Sequence, residues 1–194
     1  TCPLVLEIHE EVKKLEKEGR QIIIIGDHDH DEVVGIASQV KNPHIIANAE
    51  EAKALRKMKK AGIVSQSTQT IENVQNIFNI IMTKVFDLRF VNTICFPTKR
   101  NQEQIKELAE KCDVLIIIGS FTSANSKRLT NLAQKRNPNS YQVTCAEDIN
   151  PSWINQAEII GVSAGASTPD YIIEDVLTKL KNFGDFHPKE RIHG

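Results

Sequence analysis

A unit that occurs twice constrains this chain more than any other feature. A cysteine, Cys2 or Cys95, precedes an amphipathic stretch, an aliphatic run and a polar loop. In both copies the glycine that ends the aliphatic run, Gly26 or Gly119, follows the cysteine by 24 positions. Internal repetition sets the architecture of a fold. The repeat therefore predicts two similar lobes that bring two thiols and two polar loops to one shared site.

Strand-like aliphatic runs alternate with helical patterns in both copies, which predicts an α/β fold. Each lobe is expected to be a small parallel sheet of about four strands flanked by helices. The first lobe is predicted over residues 1–91, the second over 92–182 and a polar tail over 183–194. The first predicted helix begins at Pro3 and is ended by Gly19. The other predicted helices cover residues 33–40, 50–60, 70–83, 98–111, 126–134, 151–153 and 168–181, with Asn48, Thr98 and Thr168 as caps. The predicted strands cover residues 22–25, 44–47, 62–64, 88–91, 114–118, 141–144 and 159–162.

The charge, hydropathy and cysteine content of the chain exclude several classes of protein. The net charge of −1 argues against a general nucleic-acid binder, and no apolar run reaches the roughly 18 residues that span a bilayer. The amino terminus lacks the apolar core of a secretory signal, and the four cysteines among 194 residues are sparse, as in proteins of reducing compartments. These features predict a cytoplasmic protein, with a plastid as the other possibility. Because the chain starts at Thr1 rather than at Met, it is expected to be a fragment or a processed product.

Polar loops follow four of the predicted strands. Their sequences are DHDHDE after Gly26, SQST from Ser65, SFTSANS after Gly119 and SAGAST from Ser163. Ligands of parallel α/β sheets gather outside the carboxyl ends of the strands, and helix amino termini favour phosphate-like anions. Four such loops at matched positions predict an anion site, although serine and threonine also cap helices in proteins that bind nothing there.

The DHDHDE loop is open to three interpretations. It is a solvated acidic loop, a divalent-metal site with nitrogen and oxygen ligands, or a divided site in which His30 binds an anion and Glu32 manages a proton. The metal interpretation departs from the HxHxDH pattern of metallo-hydrolases, because Glu32 follows Asp31 where that pattern continues with histidine.

The cysteines fall into two groups. Cys112 is expected to pack at the end of an amphipathic helix, and Cys145 is assigned no role. Cys2 and Cys95 each precede a helix, whose amino terminus stabilises thiolate, the form that binds iron–sulfur clusters. Taken alone, two such cysteines rarely indicate a cluster, and a structural role is the more common one.

Six segments in this order carry a family resemblance. They are TCPLV, GxxxHxEVxG from Gly26 to Gly35, SQST, TIC, GSxxSxNSxRL from Gly119 and GVSAGASTPD from Gly161, together with the paired cysteines. Over residues 1–180 the chain resembles the LytB family of 4-hydroxy-3-methylbut-2-enyl diphosphate reductases. The resemblance implies three α/β lobes around a [4Fe–4S] cluster held by one cysteine from each lobe. It also implies removal of the substrate hydroxyl as water, giving isopentenyl and dimethylallyl diphosphate in the last step of the methylerythritol phosphate route.

The resemblance implies a role for eight positions of this chain. Matched by position, Cys2 and Cys95 are cluster ligands, Glu32 and Ser67 deliver protons, and the contacts to the substrate come from His30, Ser67, Ser123, Asn125 and Ser167. Ferredoxin or flavodoxin is the implied electron donor, and neither nucleic acid nor a membrane is an expected partner.

Three substitutions and a missing lobe separate the chain from the family pattern. Asp31 replaces a usual proline, Ser67 a threonine and Ala124 a serine. The family's first lobe would precede Thr1, so with two of three thiolates the chain by itself is expected to be nearly inactive. Two rival functions stay open at this point: a divalent-metal phosphoesterase that uses the DHDHDE loop, and a non-enzymatic module that binds isoprenoid diphosphates.

Overall fold

The computed structural model describes residues 2–184, and the chain divides into two compact units, Thr1–Lys99 and Arg100–Gly194. The first unit ends at Lys99, whereas the predicted lobe boundary is at residue 91, and the lobe assignments themselves stay predictions. Most of the tail predicted over residues 183–194 lies outside the described residues.

The first unit alternates helices and strands as its sequence predicts. Its elements are α1 (Pro3–Lys17), β1 (Gln21–Ile25), α2 (Asp31–Ala37), β2 (His44–Ile46), α3 (Ala49–Ala54), β3 (Met58–Ser65), α4 (Ile71–Ile81) and β4 (Val85–Phe90). All four strands are parallel, in the order β2-β1-β3-β4. Pro3 occupies the first turn of α1, where its missing N–H costs nothing. Gly19, at φ +75°, ends that helix in the left-handed region.

Strand β1 explains why helices cover both faces of this sheet. Its four isoleucines are 0–1% exposed, and successive side chains of a strand point to opposite faces. Ile22 and Ile24 pack in the cluster that contains Ile8, Val12 and Leu15 of α1. Ile23 and Ile25 pack in the cluster that contains Val74, Ile77 and Ile81 of α4. An unbroken aliphatic run is what a parallel strand buried on both faces requires.

The predicted helix over residues 50–60 is wrong in its second half. Helix α3 begins after its predicted cap, Asn48, but ends at Ala54, and β3 already begins at Met58. Pairing of β3 with both β1 and β4 overrides the helical preference of the lysine-rich segment, because it satisfies the backbone along the whole strand. Lys84 supports the early helix end by donating from Nζ to the carbonyl oxygen of Leu55 at 2.8 Å.

The second unit repeats the design with a smaller sheet. Its elements are α5 (Phe96–Lys111, which starts in the first unit), β5 (Val114–Ile118), α6 (Ala124–Gln134), β6 (Ser140–Val143), a 3₁₀ turn (Ala146–Asp148), α7 (Pro151–Ile154), β7 (Ile160–Ala164) and α8 (Asp170–Asn182). The sheet is parallel in the order β6-β5-β7. Three strands form it among the described residues, which matches the three strands predicted here but is one fewer than the expected sheet size of about four. The central strand, β5, is buried along its whole length, as β1 is. The predicted α/β class, with two parallel sheets flanked by helices, is confirmed.

Two predicted helix caps are wrong. Helix α5 begins at Phe96, so Thr98 lies inside its first turn and its side chain meets Cys95 instead. Helix α8 begins at Asp170 after Pro169, and the Thr168 hydroxyl donates to the carbonyl oxygen of Ile118 at 3.0 Å. In both cases the hydroxyl has a partner outside the capping position, which a local sequence pattern does not indicate.

Candidate active site

Glu32 and Ser67 meet at the carboxyl edge of the first sheet. Strands β1 and β3 are neighbours that end in register, with Ile25 opposite Ser65. The segments that follow them therefore start side by side. The Ser67 N–H donates to Glu32 Oε1 at 2.6 Å, and the Ser67 hydroxyl donates to Oε2 at 2.8 Å. Both carboxylate oxygens are thus held by one residue, which is 9% exposed.

His30 caps helix α2 immediately before Glu32. Its Nδ1 accepts a hydrogen bond from the Glu32 N–H at 3.2 Å. Because the accepting nitrogen carries no proton, the neutral ring has its proton on Nε2. The half-buried imidazole is therefore able to donate from Nε2 to an anion near Glu32.

The backbone around Ser67 also fixes Cys95. The Cys95 N–H donates to the carbonyl oxygen of Ser67 at 2.9 Å. Two residues earlier, the Thr93 hydroxyl receives the Ser65 N–H at 2.7 Å and donates to the Ser65 carbonyl oxygen at 2.5 Å. Thr93 is 6% exposed. The segment that carries the thiol is therefore fastened to the end of β3, next to the carboxylate of Glu32.

The Cys95 sulfur lies at the amino terminus of α5. It is 2.7 Å from the Thr98 hydroxyl oxygen and accepts the Thr98 N–H at 3.4 Å. Cys2 is exposed and precedes α1 in the corresponding place, with no side-chain capping hydrogen bond. Thiols at helix amino termini are suited to bind iron as thiolates. Within residues 2–184, however, no group of three or more His, Cys, Asp or Glu side chains is arranged to hold a metal ion. The convergence of Cys2 and Cys95 on one centre stays a prediction.

The DHDHDE loop does not gather its side chains around a common point. His28 Nε2 lies 3.0 Å from Glu51 Oε2 of α3, while His30 faces the α2 backbone and Glu32 faces Ser67. The Ala47 N–H and then His28 donate to Glu51 and hold the pKa of this carboxyl below its usual value. The separate engagement of these side chains gives the divalent-metal interpretation no support.

A second polar cluster lies at the carboxyl edge of the β5–β7 sheet. Ser123 caps α6 and accepts the Ser126 N–H at 3.3 Å, and Asn125 lies in the first turn of that helix. The loop after β7 is tied to the end of β5, because the Gly165 N–H donates to the carbonyl oxygen of Ile118 at 2.8 Å. Ser167 is exposed in this loop. Each unit thus has its own polar cluster at the carboxyl edge of its sheet.

Two glycines allow the two loops of the second unit to meet. A Cβ on Gly119 would lie 2.2 Å from Ser126 Oγ, and a Cβ on Gly165 would lie 2.6 Å from the same atom. Ser126 is 1% exposed. The glycines and the serine therefore pack the Ser123 and Ser167 loops directly against one another.

Sequence reasoning missed the supporting residues of both clusters. Thr93 and Thr98 hold Cys95, and Ser126 holds the loops of the second unit together. The recurrence of a hydroxyl residue near each cysteine was the available signal, but it does not distinguish a cap from a contact to sulfur. Cys112 packs beside Gly161 as expected, and burial followed by the neighbouring Asp113 charge raises the pKa of its thiol.

Most of the chain matches one family of proteins. The model of the LytB protein family matches residues 1–181. The chain belongs to the LytB family. Curated relatives include the 4-hydroxy-3-methylbut-2-enyl diphosphate reductase of Geobacter sulfurreducens, 40% identical over 184 residues, which are 94% of this chain and 65% of that protein. The reductase of Geotalea uraniireducens is 39% identical over 93% of this chain and 64% of its own length.

Two solved structures share the fold. The E-1-hydroxy-2-methyl-but-2-enyl-4-diphosphate reductase of Plasmodium falciparum is 29% identical, with a TM-score of 0.89 over 94% of this chain and 59% of that one. An (E)-4-hydroxy-3-methyl-but-2-enyl diphosphate reductase, described as the terminal enzyme of the non-mevalonate pathway, is 36% identical, with a TM-score of 0.59 over 94% and 66%. The LytB chain spans about 65% of the length of the curated relatives that it matches.

From residue 2 to residue 184, none of the helices has the length and apolar character needed to cross a membrane.

Proposed function

We propose that this chain forms the proton-delivering and diphosphate-binding part of a 4-hydroxy-3-methylbut-2-enyl diphosphate reductase, an oxidoreductase of isoprenoid biosynthesis. The names of its curated relatives and its match to the LytB family support the substrate class. The observation that carries the assignment of residues is the pair of hydrogen bonds that Ser67 donates to Glu32.

The reaction needs two protons and two electrons. Replacement of the substrate C–OH by C–H consumes them and releases water, so one proton goes to the leaving oxygen and one to an allylic carbon. Water leaves far more readily than hydroxide, which makes a positioned acid valuable: such groups contribute about 10²–10⁴-fold to rate. Glu32 is the acid that we propose, and Ser67 holds its carboxyl in one orientation and can pass a proton through its hydroxyl.

The electrons would come from a [4Fe–4S] cluster, for which Cys2 and Cys95 supply two thiolates. The two thiols fit this role by donor type and by their places before α1 and α5. Two thiolates are fewer than the three that the family resemblance implies. We therefore expect the chain by itself to hold the cluster weakly and to be nearly inactive. A ferredoxin or flavodoxin is the proposed donor to the cluster.

The diphosphate would bind to the remaining polar groups. His30 offers Nε2–H next to Glu32. Ser123 and Asn125 lie at the start of α6, and Ser167 lies in the loop after β7. The free N–H groups at the start of this 11-residue helix favour negative charge. In this proposal the first cluster supplies the protons and one diphosphate contact, and the second cluster supplies the other diphosphate contacts.

The test uses a chimera that supplies the part of the Geobacter sulfurreducens reductase lying outside the match. After anaerobic reconstitution, the chimera is expected to be brown and to turn over with a chemical reductant. Glu32→Gln should lower turnover at least about 100-fold with unchanged iron content, since it removes the acid but no thiolate. Ser67→Ala should cost less, because the backbone N–H still orients Oε1. Normal turnover by Glu32→Gln would contradict the proton assignment.

The cysteine ligands are tested by iron analysis of the same chimera. Cys2→Ser and Cys95→Ser should each lower the iron bound per chain, whereas Cys145→Ser serves as the matched control because no role is proposed for Cys145. Equal iron in all four proteins would show that these two sulfurs are not ligands. A stable four-iron cluster on the chain alone would refute the expected weak binding.

A further inference from the structure

Cys95 is contacted by two polar groups of one residue. The Thr98 N–H donates to the sulfur at 3.4 Å, and the Thr98 hydroxyl oxygen lies 2.7 Å from it. Thr98 is 5% exposed, within the first turn of α5. Sulfur is a weaker hydrogen-bond acceptor than oxygen, yet the buried Thr98 hydroxyl is directed at the sulfur. This arrangement points to a purpose beyond helix capping.

The direction of the hydroxyl bond depends on the state of the sulfur. In the free thiol, either the S–H or the O–H is able to donate. A metal-bound sulfur carries no proton and only accepts, so the hydroxyl of Thr98 must then donate. The Thr98 N–H already points at the same atom and donates in both states. The surroundings are therefore arranged for a sulfur that accepts two hydrogen bonds.

We propose that Thr98 is a positioning residue that holds the Cys95 sulfur toward the iron–sulfur cluster and makes the cluster easier to reduce. Hydrogen bonds to the sulfurs are among the features that set the potential of such clusters. They draw negative charge from the sulfur, so the reduced, more negative state is favoured. This inference rests on the proposed function, in which Cys95 is a ligand.

Two substitutions separate the hydroxyl from the shape of the side chain. Thr98→Val keeps the branched shape and removes the hydroxyl, whereas Thr98→Ser keeps the hydroxyl. Thr130→Val is a matched control, since Thr130 is 6% exposed and its hydroxyl also donates within a helix, to the Ser126 carbonyl oxygen at 2.9 Å. It contacts no cysteine among the hydrogen bonds of the described residues.

The first measurement needs no iron. In the metal-free chain, the carbon-13 shift of Cys95 Cβ reports the surroundings of the sulfur. Thr98→Val should move this resonance, while Thr98→Ser and Thr130→Val should leave it near the wild-type position. An unmoved resonance in Thr98→Val would overturn the inference whether or not the proposed function holds.

The second measurement is the midpoint potential of the reconstituted chimera. Thr98→Val should make the potential more negative, and Thr98→Ser should restore it. Equal potentials in wild type and Thr98→Val, with wild-type iron content, would overturn the inference and leave the proposed function intact. A wild-type chimera that binds no iron would instead contradict the proposed function, and the inference would fail with it, even if the Cys95 resonance confirmed the contact.

Discussion

We expect Gly165→Ala to destabilise the protein because the added methyl group would clash with the side chain of Ser126. Ser126→Ala should relieve this clash. A Cβ at this position would lie 2.6 Å from Ser126 Oγ, while its next neighbours, Thr168 Oγ1 and the Ile118 carbonyl oxygen, are at 3.5 and 3.8 Å. Non-bonded heavy atoms prefer separations of about 3.5 Å or more. The methyl carbon is therefore roughly 0.9 Å too close to Ser126 Oγ and at an ordinary contact distance from the other two atoms.

Overpacking of this kind costs about 1–3 kcal/mol. Ser126 is 1% exposed and lies in the first turn of α6, so its side chain has little room to turn away. We expect Gly165→Ala to lower the free energy of unfolding of the second unit by this amount. Ser126→Ala deletes the clashing oxygen, so the double variant should regain most of the loss.

Trp153 makes the measurement specific to the second unit. It is the one tryptophan of the chain and lies in α7, stacked on Tyr141 at 4.0 Å between ring centroids. Urea unfolding followed by its fluorescence therefore reports the unit that contains Gly165. A double-mutant cycle with Ser126→Ala should give a coupling energy of about 1–2 kcal/mol.

Gly119→Ala is the control for this cycle. Its Cβ would meet not only Ser126 Oγ but also Ser126 Cβ at 2.9 Å. Ser126→Ala keeps that carbon, so it should rescue Gly119→Ala much less than it rescues Gly165→Ala. If Ser126→Ala fails to rescue Gly165→Ala, or rescues both glycine variants equally, the packing argument is refuted.

Two further predictions concern the first unit, with unfolding followed by circular dichroism. Gly35→Ala should raise its stability by about 0.5–1 kcal/mol, because alanine is the better helix former; the new methyl would meet His9 at an ordinary 3.5 Å. A loss of stability would contradict this. Glu51 has a pKa lowered in the fold by the Ala47 N–H and then by His28. A carboxyl whose pKa is lower in the folded protein than in the unfolded chain, where it is about 4.3, stabilises the fold at pH values above about 4.3. This stabilisation disappears as the pH falls through the folded pKa. Glu51→Gln should therefore cost stability at pH 7 and nothing at pH 2, and an equal cost at both would refute the linkage.

The central strands and the first helix were predictable because their signals are local. The aliphatic runs of β1 and β5 are too short for helices and too apolar for exposed strands, and Pro3 and Gly19 mark both ends of α1. Because strands that are apolar on both faces need helices on both sides of the sheet, these runs favour an α/β fold over an exposed antiparallel sheet. The α/β class followed from this alternation alone.

Other features depend on partners that are distant in sequence. Nothing near Met58 indicates a strand, because its pairing partners lie in β1 and β4. Thr98 has the sequence signature of a cap, and only the position of the Cys95 sulfur decides where its hydroxyl goes. The Glu32–Ser67 contact spans 35 positions and arises from the register of two strands. Local patterns and the family resemblance predicted the residues of the candidate site, whereas their contacts depend on the sheet.

Ser67 connects the proposed proton donor to the proposed metal ligand. Its N–H and hydroxyl donate to Glu32, while its carbonyl oxygen accepts the Cys95 N–H. Two of these three contacts belong to the backbone, so they survive any side chain that leaves the β3 terminus in place. This explains physically why serine can stand where the family resemblance implies threonine. It also means that displacement of the β3 end would move the carboxylate and the thiol together, so the proposed proton donor and the proposed metal ligand keep their spacing.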